Sequence, residues 1–554
     1  MSADIVIENA AILTMDDARP KAEALAITGN RIAAVGSNRE IAAEKGASTR
    51  VIDAGGATVT PGFVEAHMHL FAGAAELKHL QLAGTKGFDE LKSRTLAYLK
   101  DNPGSDLVIW EQADYIIISE SEPLTRHHLD RIVTDRPLLV FSPDHHTAWA
   151  NTLALEQSGI LKGKALGPGN EIVMGPDGLA AGELREGEAF NPVRALLKGG
   201  DRDRLGLTTG GEPDPYPDKA AFESDLEVMA RGLAHCAAHG LTAIHNMDGN
   251  LYTLELLEEL QRRGQLTARV RVPFHMKNFM DLSMLEKASK MVARYNSDML
   301  QSGFVKVFVD GVVDSATAVM VEDYADRPGW RGDPLFAPEH FARVAVEADR
   351  RGLQIAVHAI GDGAVRITLD GYAAAQKANG KRDSRHRVEH VEVIHPDDIP
   401  RFARLGVIAS MQPPHPPGCH GLPLEPYLSR LGEKRWPYAF AQRAIRNTGA
   451  HVVFATDWPV SDIDPLWSIQ SAMTRGRWTP SMPDNRVSLH EAIHSYTVEG
   501  AHAGFMDGKT GVLKPGLLAD VTVLAGNLER TDPDSIRTIR PRITICDGRV
   551  AFGA

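Results

Sequence analysis

Between residues 59 and 458 the chain alternates short apolar runs, mostly closed by a polar residue, with stretches that carry the spacing of a helix. The runs are Val59–His69, Thr242–Asp248, Val270–His275, Val305–Gly311, Gln354–Ile360, Arg387–Val393, Val407–Gln412 and Val452–Trp458. Strand-like runs separated by helical stretches argue for a parallel sheet with crossover helices. Eight of them are what a (β/α)8 TIM barrel needs, and that fold collects its chemistry at the C-terminal ends of the strands. The reading places His69, Asp248, His275, Asp310, His358, His390, Gln412 and Asp457 near one face.

The two ends of the chain read differently. Strand-like runs at residues 4–7, 24–27 and 31–35, separated by turn signals at Gly29-Asn30 and Gly36-Ser37, suggest a small antiparallel sheet. The last ~45 residues repeat that texture, with runs at 519–524 and 542–546 and an Asp547-Gly548 turn before 549–552. A lone pair of hairpins buries too little apolar surface to persist. The ends are therefore expected to complete one discontinuous β-sandwich, residues 1–60 plus 504–554, around a barrel of residues 61–503. Between the first two runs the stretch at about 75–230 is far longer than an ordinary βα loop and is expected to be an insertion that roofs the active site.

At 554 residues and 43% hydrophobic content the chain can bury a core for the barrel and another for an accessory domain. Its formal net charge of −12 leaves no basic surplus for a phosphate backbone or anionic lipid, so neither nucleic acid nor a membrane surface is an expected partner. Cys236, Cys419 and Cys546 are scattered without CxxC spacing, which supports neither a disulfide framework nor a thiolate zinc site and suits a reducing compartment. No basic start precedes an apolar stretch at the N-terminus and no run reaches about 18 apolar residues, so a cytoplasmic protein is expected. There is no GxxxxGK[ST] phosphate loop.

His67 and His69 stand two apart in a strand-like run, which puts both imidazoles on one face roughly 6.6 Å apart at the backbone. Such a pair either binds a divalent cation or hydrogen-bonds within a core. His358 and His390 end two further runs, and four imidazoles at the strand ends of one barrel make a ligand set, imidazole being the commonest ligand for zinc and similar metals. Asp457 follows the last run, as a ligand and proton carrier or as the cap of the next helix. Lys306 places a cation in an apolar run, where an unpaired charge costs several kcal/mol, on the order expected for buried ions. Either Asp310 or another carboxylate pairs with it, or it is neutral and reacts with CO2 to give a carbamate able to bridge two metal ions.

Taken together, Pro61-Gly-Phe-Val-Glu-Ala-His-Met-His, Val305-Lys-Val-Phe-Val-Asp-Gly, His358-Ala-Ile-Gly-Asp, Arg387-Val-Glu-His, Thr456-Asp-Trp-Pro-Val and the closing Gly511-Val-Leu-Lys-Pro-Gly-Leu-Leu-Ala-Asp carry a resemblance over almost the whole chain. The chain resembles the amidohydrolase superfamily, in the amidohydrolase-3 branch that includes N-substituted formamide deformylase. The resemblance implies a metal site of His67, His69, Lys306, His358, His390 and Asp457, holding one or two divalent ions, zinc or a similar metal, with Lys306 as the candidate carboxylated residue. Asp144-His-His-Thr-Ala-Trp-Ala-Asn is similar to a family segment whose His corresponds to His146, which either touches substrate or only folds the insertion. His145 stands where the family more often has Gly. Glu65 stands where it has Asp, and is expected to orient a ligand.

The expected activity is metal-dependent hydrolysis of an amide-type C–N bond, N-acyl or N-formyl, in a small molecule. Asp457 would carry a proton from water to the leaving nitrogen. Two alternatives stand beside it. One is a mononuclear cyclic-amide hydrolase or deaminase, although the deaminase glutamate three residues after the strand-five histidine is Gly361 here. The other is a non-catalytic regulatory or binding protein. Trp110, Tyr115, Trp149, Met411, His415, Trp458 and Trp467 are expected around the mouth, suiting an apolar group beside the scissile bond. A large barrel enzyme is commonly a symmetric dimer or higher homo-oligomer.

Overall fold

A computed structural model describes residues 2–103, 107–119, 121–143, 145, 147–167, 170–197, 201–419 and 422–553. Each of the eight apolar runs contributes a strand to one parallel sheet: β1 (Phe63–Met68), β2 (Leu241–Asn246), β3 (Arg269–His275), β4 (Leu300–Phe308), β5 (Gln354–Ala359), β6 (Arg387–His390), β7 (Ile408–Met411) and β8 (Val452–Phe454). Their order in the sheet is their order in the chain. Apart from β4, every residue of these strands is buried, because helices cover the outside and side chains fill the inside; this is why they read as continuous apolar runs. No ladder joins β1 to β8. Two hydrogen bonds close that seam instead: Asp457 N–H donates to His67 O at 2.9 Å and His69 N–H to Trp458 O at 2.8 Å. The architecture is a TIM barrel.

The crossovers are helices Leu251–Arg262, Leu285–Arg294, Pro338–Arg350, Asp362–Asn379, Ile399–Leu405 and Gln442–Arg446, while Lys219–Ala238 leads into β2. In Leu251–Arg262 the buried Tyr252, Leu256, Leu257 and Leu260 form one stripe, and the Asn250 side chain accepts from Thr253 N–H to start the helix.

One run breaks where the sequence reads it as continuous. Within Val59–His69, Thr58–Pro61 pairs outside the barrel, and β1 starts only at Phe63. Gly62 makes the transition because a Cβ there would lie 2.1 Å from the Thr242 hydroxyl oxygen.

Outside the barrel, two sheets share an apolar core that includes Ile5, Ile7, Leu25, Ile27, Val59, Val521, Val523, Ile543 and Ile545. One sheet has four strands, in the order Arg31–Gly36, Ala24–Thr28, Ile5–Glu8, Arg50–Asp53. The other has six, in the order Arg549–Phe552, Pro541–Cys546, Val521–Leu524, Thr58–Pro61, Ala11–Leu13, Lys21–Ala22, drawn from both ends of the chain. The runs read at 4–7, 24–27 and 31–35 do pair antiparallel, within the first sheet, but the first sixty residues hold further strands. They feed both sheets, and Ile5–Glu8 runs parallel to Arg50–Asp53, as Ala11–Leu13 does to Thr58–Pro61. Pairs so far apart in sequence are freed from the hairpin geometry that imposes antiparallel order.

The chain forms two compact units, residues 1–71 with 206–554, and residues 72–205. The second unit has its own six-stranded sheet, in the order Glu171–Met174, Ala180–Arg185, Thr147–Ala150, Leu138–Phe141, Val108–Glu111, Leu80–Gln81. Strict alternation splits its strands between two cores: Leu138 and Val140 enter one, Leu139 and Phe141 the other. Among the described residues no helix is long and apolar enough to cross a membrane.

Candidate metal centre

The closing seam of the barrel brings the first histidine pair onto the last carboxylate. Asp457 Oδ1 lies 3.3 Å from His67 Nε2 and 3.2 Å from His69 Nε2, all three residues being buried. Asp457 is held with φ at +62°. A non-glycine residue in that region is uncommon, and such strain persists only where the surroundings fix it, here by the seam hydrogen bond to His67. His390, at φ +74°, ends β6 in the same conformation, with its ring centroid 4.8 Å from that of His67 and 4.4 Å from that of His358. The His358 ring stacks on Phe308 at 4.7 Å, and its Nε2 lies 3.1 Å from Gly311 O.

Lys306 is fully buried on β4, with Nζ 4.7 Å above the Phe308 ring and without a hydrogen-bond partner. Burial pulls its amine down to about 8. Of the rival reading of Lys306, an ion pair with Asp310 or another carboxylate, the Asp310 half is not what the structure shows, because that carboxylate accepts from the backbone N–H groups of Val319, Ile360 and Gly361 at 2.9–3.0 Å, while the charges of Glu389 and Asp457 act on the amine against burial.

Three of the histidines are anchored by the nitrogen that faces away from Asp457 or is shared with a buried acceptor. His67 Nδ1–H donates to Glu389 Oε2 at 2.7 Å, His69 Nδ1–H to Asp248 Oδ1 at 2.5 Å, and His390 Nδ1–H to Gln412 Oε1 at 3.0 Å. An acceptor on Nδ1 fixes the tautomer and leaves Nε2 as the lone-pair nitrogen, which is the arrangement of metal-ligating imidazoles. Glu389 is held in turn by Arg387, whose Nη2 lies 3.0 Å from Oε2. Glu65 accepts from Thr456 N–H at 2.8 Å and the Thr456 hydroxyl at 3.1 Å, so it fixes the residue before Asp457.

Burial would raise Asp457, but His67, His69 and His415 outweigh it and hold the carboxyl well below the usual range. Burial likewise opposes charge on His69, yet Asp248 and Asp457 raise it to about 9. For His67 and His390 burial dominates and keeps both imidazoles neutral well below their ordinary value. A carboxylate beside the neutral imidazoles of His67 and His390, with His69 able to give up its proton to an incoming cation, is a divalent-metal donor set.

Whether these residues fit a metal can be tested on their unsatisfied atoms. Lys306 Nζ, His390 Nε2 and Asp248 Oδ2 are buried without hydrogen-bond partners, although each such group costs roughly 1–3 kcal/mol when left unmade. Donor atoms of His67, His69 and Asp457 lie within 4.8 Å of one another, and so do those of His390, His415 and Asp457. The residues fit a cation shared through Asp457.

The sequence profile of the Amidohydrolase family matches residues 50–552. The chain belongs to the amidohydrolase family. It is 28% identical over 547 residues to the protein LONG AFTER FAR-RED 3 of Arabidopsis thaliana, covering 95% of this chain and 88% of that one. Against the N-substituted formamide deformylase of Arthrobacter pascens it is 25% identical over 566 residues, covering 99% and 98%. A solved metal-dependent hydrolase of uncharacterised function from Pyrococcus furiosus superposes with a TM-score of 0.70 at 24% identity, covering 93% of this chain and 98% of that one.

In this amidohydrolase several of the expected positions shift in meaning. His146 lies outside the described residues, so its geometry stays an expectation. Trp110 and Trp149, read as lining the mouth, are 0% and 1% exposed in an apolar core of the second unit, where they pack. His415, read only as part of the mouth, instead stacks on His390 with the rings 13° from parallel, its Nε2 4.0 Å from Asp457 Oδ2 and its Nδ1 3.7 Å from Glu392. It follows Gln412 in a loop without periodicity, and the only signal for it was a histidine just past a strand end. Glu389 was missed as well, although a carboxylate inside an apolar run is the same signal that exposed Lys306. At Gly361 a side chain would meet Val319 O at 2.1 Å, so a deaminase-type glutamate has no room there.

Proposed function

We propose that this amidohydrolase hydrolyses an amide-type C–N bond, N-acyl or N-formyl, in a small molecule. A divalent ion, zinc by the donor set, would be held by His67, His69, Lys306, His358, His390 and Asp457. The observation that carries the reading is Asp457, whose Oδ1 lies within 3.3 Å of two imidazole nitrogens that Glu389 and Asp248 orient from behind. The 25% identity to a formamide deformylase over nearly both whole chains supports the choice of bond.

A bound divalent ion supplies Lewis acidity toward a carbonyl oxygen and toward water. The chain's own residues do the rest. Asp457, ionised at neutral pH, accepts the proton that water gives up on attack and returns it to the departing nitrogen, so that the amine leaves neutral. Glu65, through Thr456, and the left-handed backbone at Asp457 hold the Asp457 carboxylate in one position. With Asp310 spent on backbone amides, Lys306 has no carboxylate from that source, and an amine brought down to about 8 is neutral often enough near pH 8 to take up CO2. Carboxylated, it would add an anionic ligand and permit a second ion.

Cys236, Cys419 and Cys546 are free thiols, which supports a reducing, cytoplasmic setting. A homo-oligomer is the accompanying expectation.

The test is amine release from a panel of N-formyl and N-acyl amines by zinc-loaded protein, with and without chelator, alongside metal content of wild type and Lys306→Ala. Chelator-sensitive release, with two ions falling to one or none in the variant, is expected. Ammonia release in place of amide cleavage would move the chain to the deaminase reading. Bound metal without turnover of any C–N substrate would leave a binding protein.

A further inference from the structure

A second cluster of metal-ligating side chains lies in the unit formed by residues 72–205, outside the barrel. Glu76 ends helix Leu70–Glu76, Glu111 ends strand Val108–Glu111, and His145 sits in the turn after Leu138–Phe141. Glu76 and Glu111 are 5% and 0% exposed. Each carboxylate has one oxygen in a close hydrogen bond, and Arg204 Nη2 also lies 3.4 Å from His145 Nδ1. Arg204 Nη2 bonds Glu76 Oε1, and His79 Nδ1 lies 2.9 Å from Glu111 Oε1. The remaining oxygens both face one imidazole: Glu76 Oε2 is 3.7 Å from His145 Nε2, and Glu111 Oε2 is 3.8 Å from His145 Nδ1. Glu111 Oε2 is buried without a hydrogen-bond partner.

One oxygen held by an outer donor and the other turned inward is how carboxylate ligands are oriented around metals. One donor atom from each of Glu76, Glu111 and His145 lies within 4.8 Å of the other two, so a cation held through a single ring nitrogen of His145 is reached by side-chain shifts of about 1–2 Å. Glu111 Oε2 keeps only this long ion-pair contact to His145 and no hydrogen bond, although it is buried. His145 reaches the cluster from a backbone at φ +57°, a conformation that favours glycine.

We propose that Glu76, Glu111 and His145 bind a divalent transition-metal ion, separate from the barrel centre, which staples a helix end, a strand end and a turn of the second unit together. Two carboxylates and one imidazole suit Mn2+ or Zn2+.

The experiment uses the full chain carrying His67→Asn and His69→Asn, which removes two barrel ligands, titrated with Mn2+ and followed by electron paramagnetic resonance and elemental analysis. One ion per chain is expected, with affinity falling more than about 100-fold when Glu111→Gln is added. No bound ion, or binding indifferent to Glu111→Gln, overturns the proposal. If the double variant folds poorly, the same comparison is made on otherwise intact Zn2+-loaded protein. There Glu111→Gln and, separately, Glu76→Gln should each cost one ion per chain and expose residues 72–205 to limited proteolysis. An unchanged metal content and digestion pattern overturns it.

Discussion

Glu389 Oε2 accepts the Nδ1 proton of His67 at 2.7 Å across 322 residues of sequence, with both side chains essentially without solvent. The same oxygen receives Arg387 Nη2 at 3.0 Å, so a fully buried ion pair sets the direction of the imidazole proposed as a metal ligand. Glu389→Gln keeps the shape but offers a neutral acceptor. Metal affinity, read by competition with a chromophoric chelator, should fall by about 10–100-fold, with the circular dichroism spectrum intact. Unchanged affinity would mean that His67 is held by packing alone.

Asp457 makes a sharper prediction because two proposed functions meet on it. Asp457→Asn retains a ligand oxygen but not the proton acceptor. Turnover on whichever amide proves to be a substrate should drop by at least about 10²-fold, while the fold and part of the metal remain. Near-wild-type turnover would remove Asp457 from proton transfer and leave it as a ligand only.

These residues differ in how legible they were. His67, His358, His390 and Lys306 stood out because a charged or metal-loving side chain in a strand buried on both sides has no ordinary reason to be there. The barrel followed from the same runs. His415 was opaque because loop residues carry no periodicity, and its place beside His390 depends on how the chain turns after β7. The partners of the histidine Nδ1 atoms could not be read either, since they join segments up to 322 residues apart. At the chain ends the hairpins read from the turn residues are present, Ala24–Thr28 with Arg31–Gly36 and Pro541–Cys546 with Arg549–Phe552, but the parallel pairing of strands 5–8 and 50–53 runs through a connection that turn residues do not encode.

The proton on His69 links metal binding to pH. Asp248 and Asp457, against the opposing effect of burial, raise this imidazole to about 9, so in chelator-treated protein it is protonated at neutral pH and an incoming ion must displace that proton. Apparent zinc affinity measured at pH 6, 7 and 8 should therefore rise by about tenfold per unit from this group. Asp248→Asn removes the main support for the proton and should flatten the slope as it weakens the site. A flat wild-type profile over this range would show that His69 is already neutral.

Glu65 works in the opposite direction, on stability. Burial raises its carboxyl from 4.5 to about 8, so between those values the folded state holds a proton that the unfolded chain releases. Folding then binds protons, and the contribution of Glu65 to stability falls as pH rises from 4.5 toward 8, by up to about 1.4 kcal/mol per unit. Glu65→Gln keeps an amide oxygen for Thr456 N–H and an amide N–H for its hydroxyl, close to the hydrogen bonding of the protonated acid. Glu76, Glu111 and Asp310 are also raised and contribute slopes of their own, so the informative quantity is the difference between the two proteins. In chelator, urea midpoints at pH 5, 6.5 and 8 should converge or cross as pH rises, with the variant losing less stability than the wild type. Parallel profiles would place the Glu65 proton outside this window and make its carboxylate, ionised, the group that fixes Thr456.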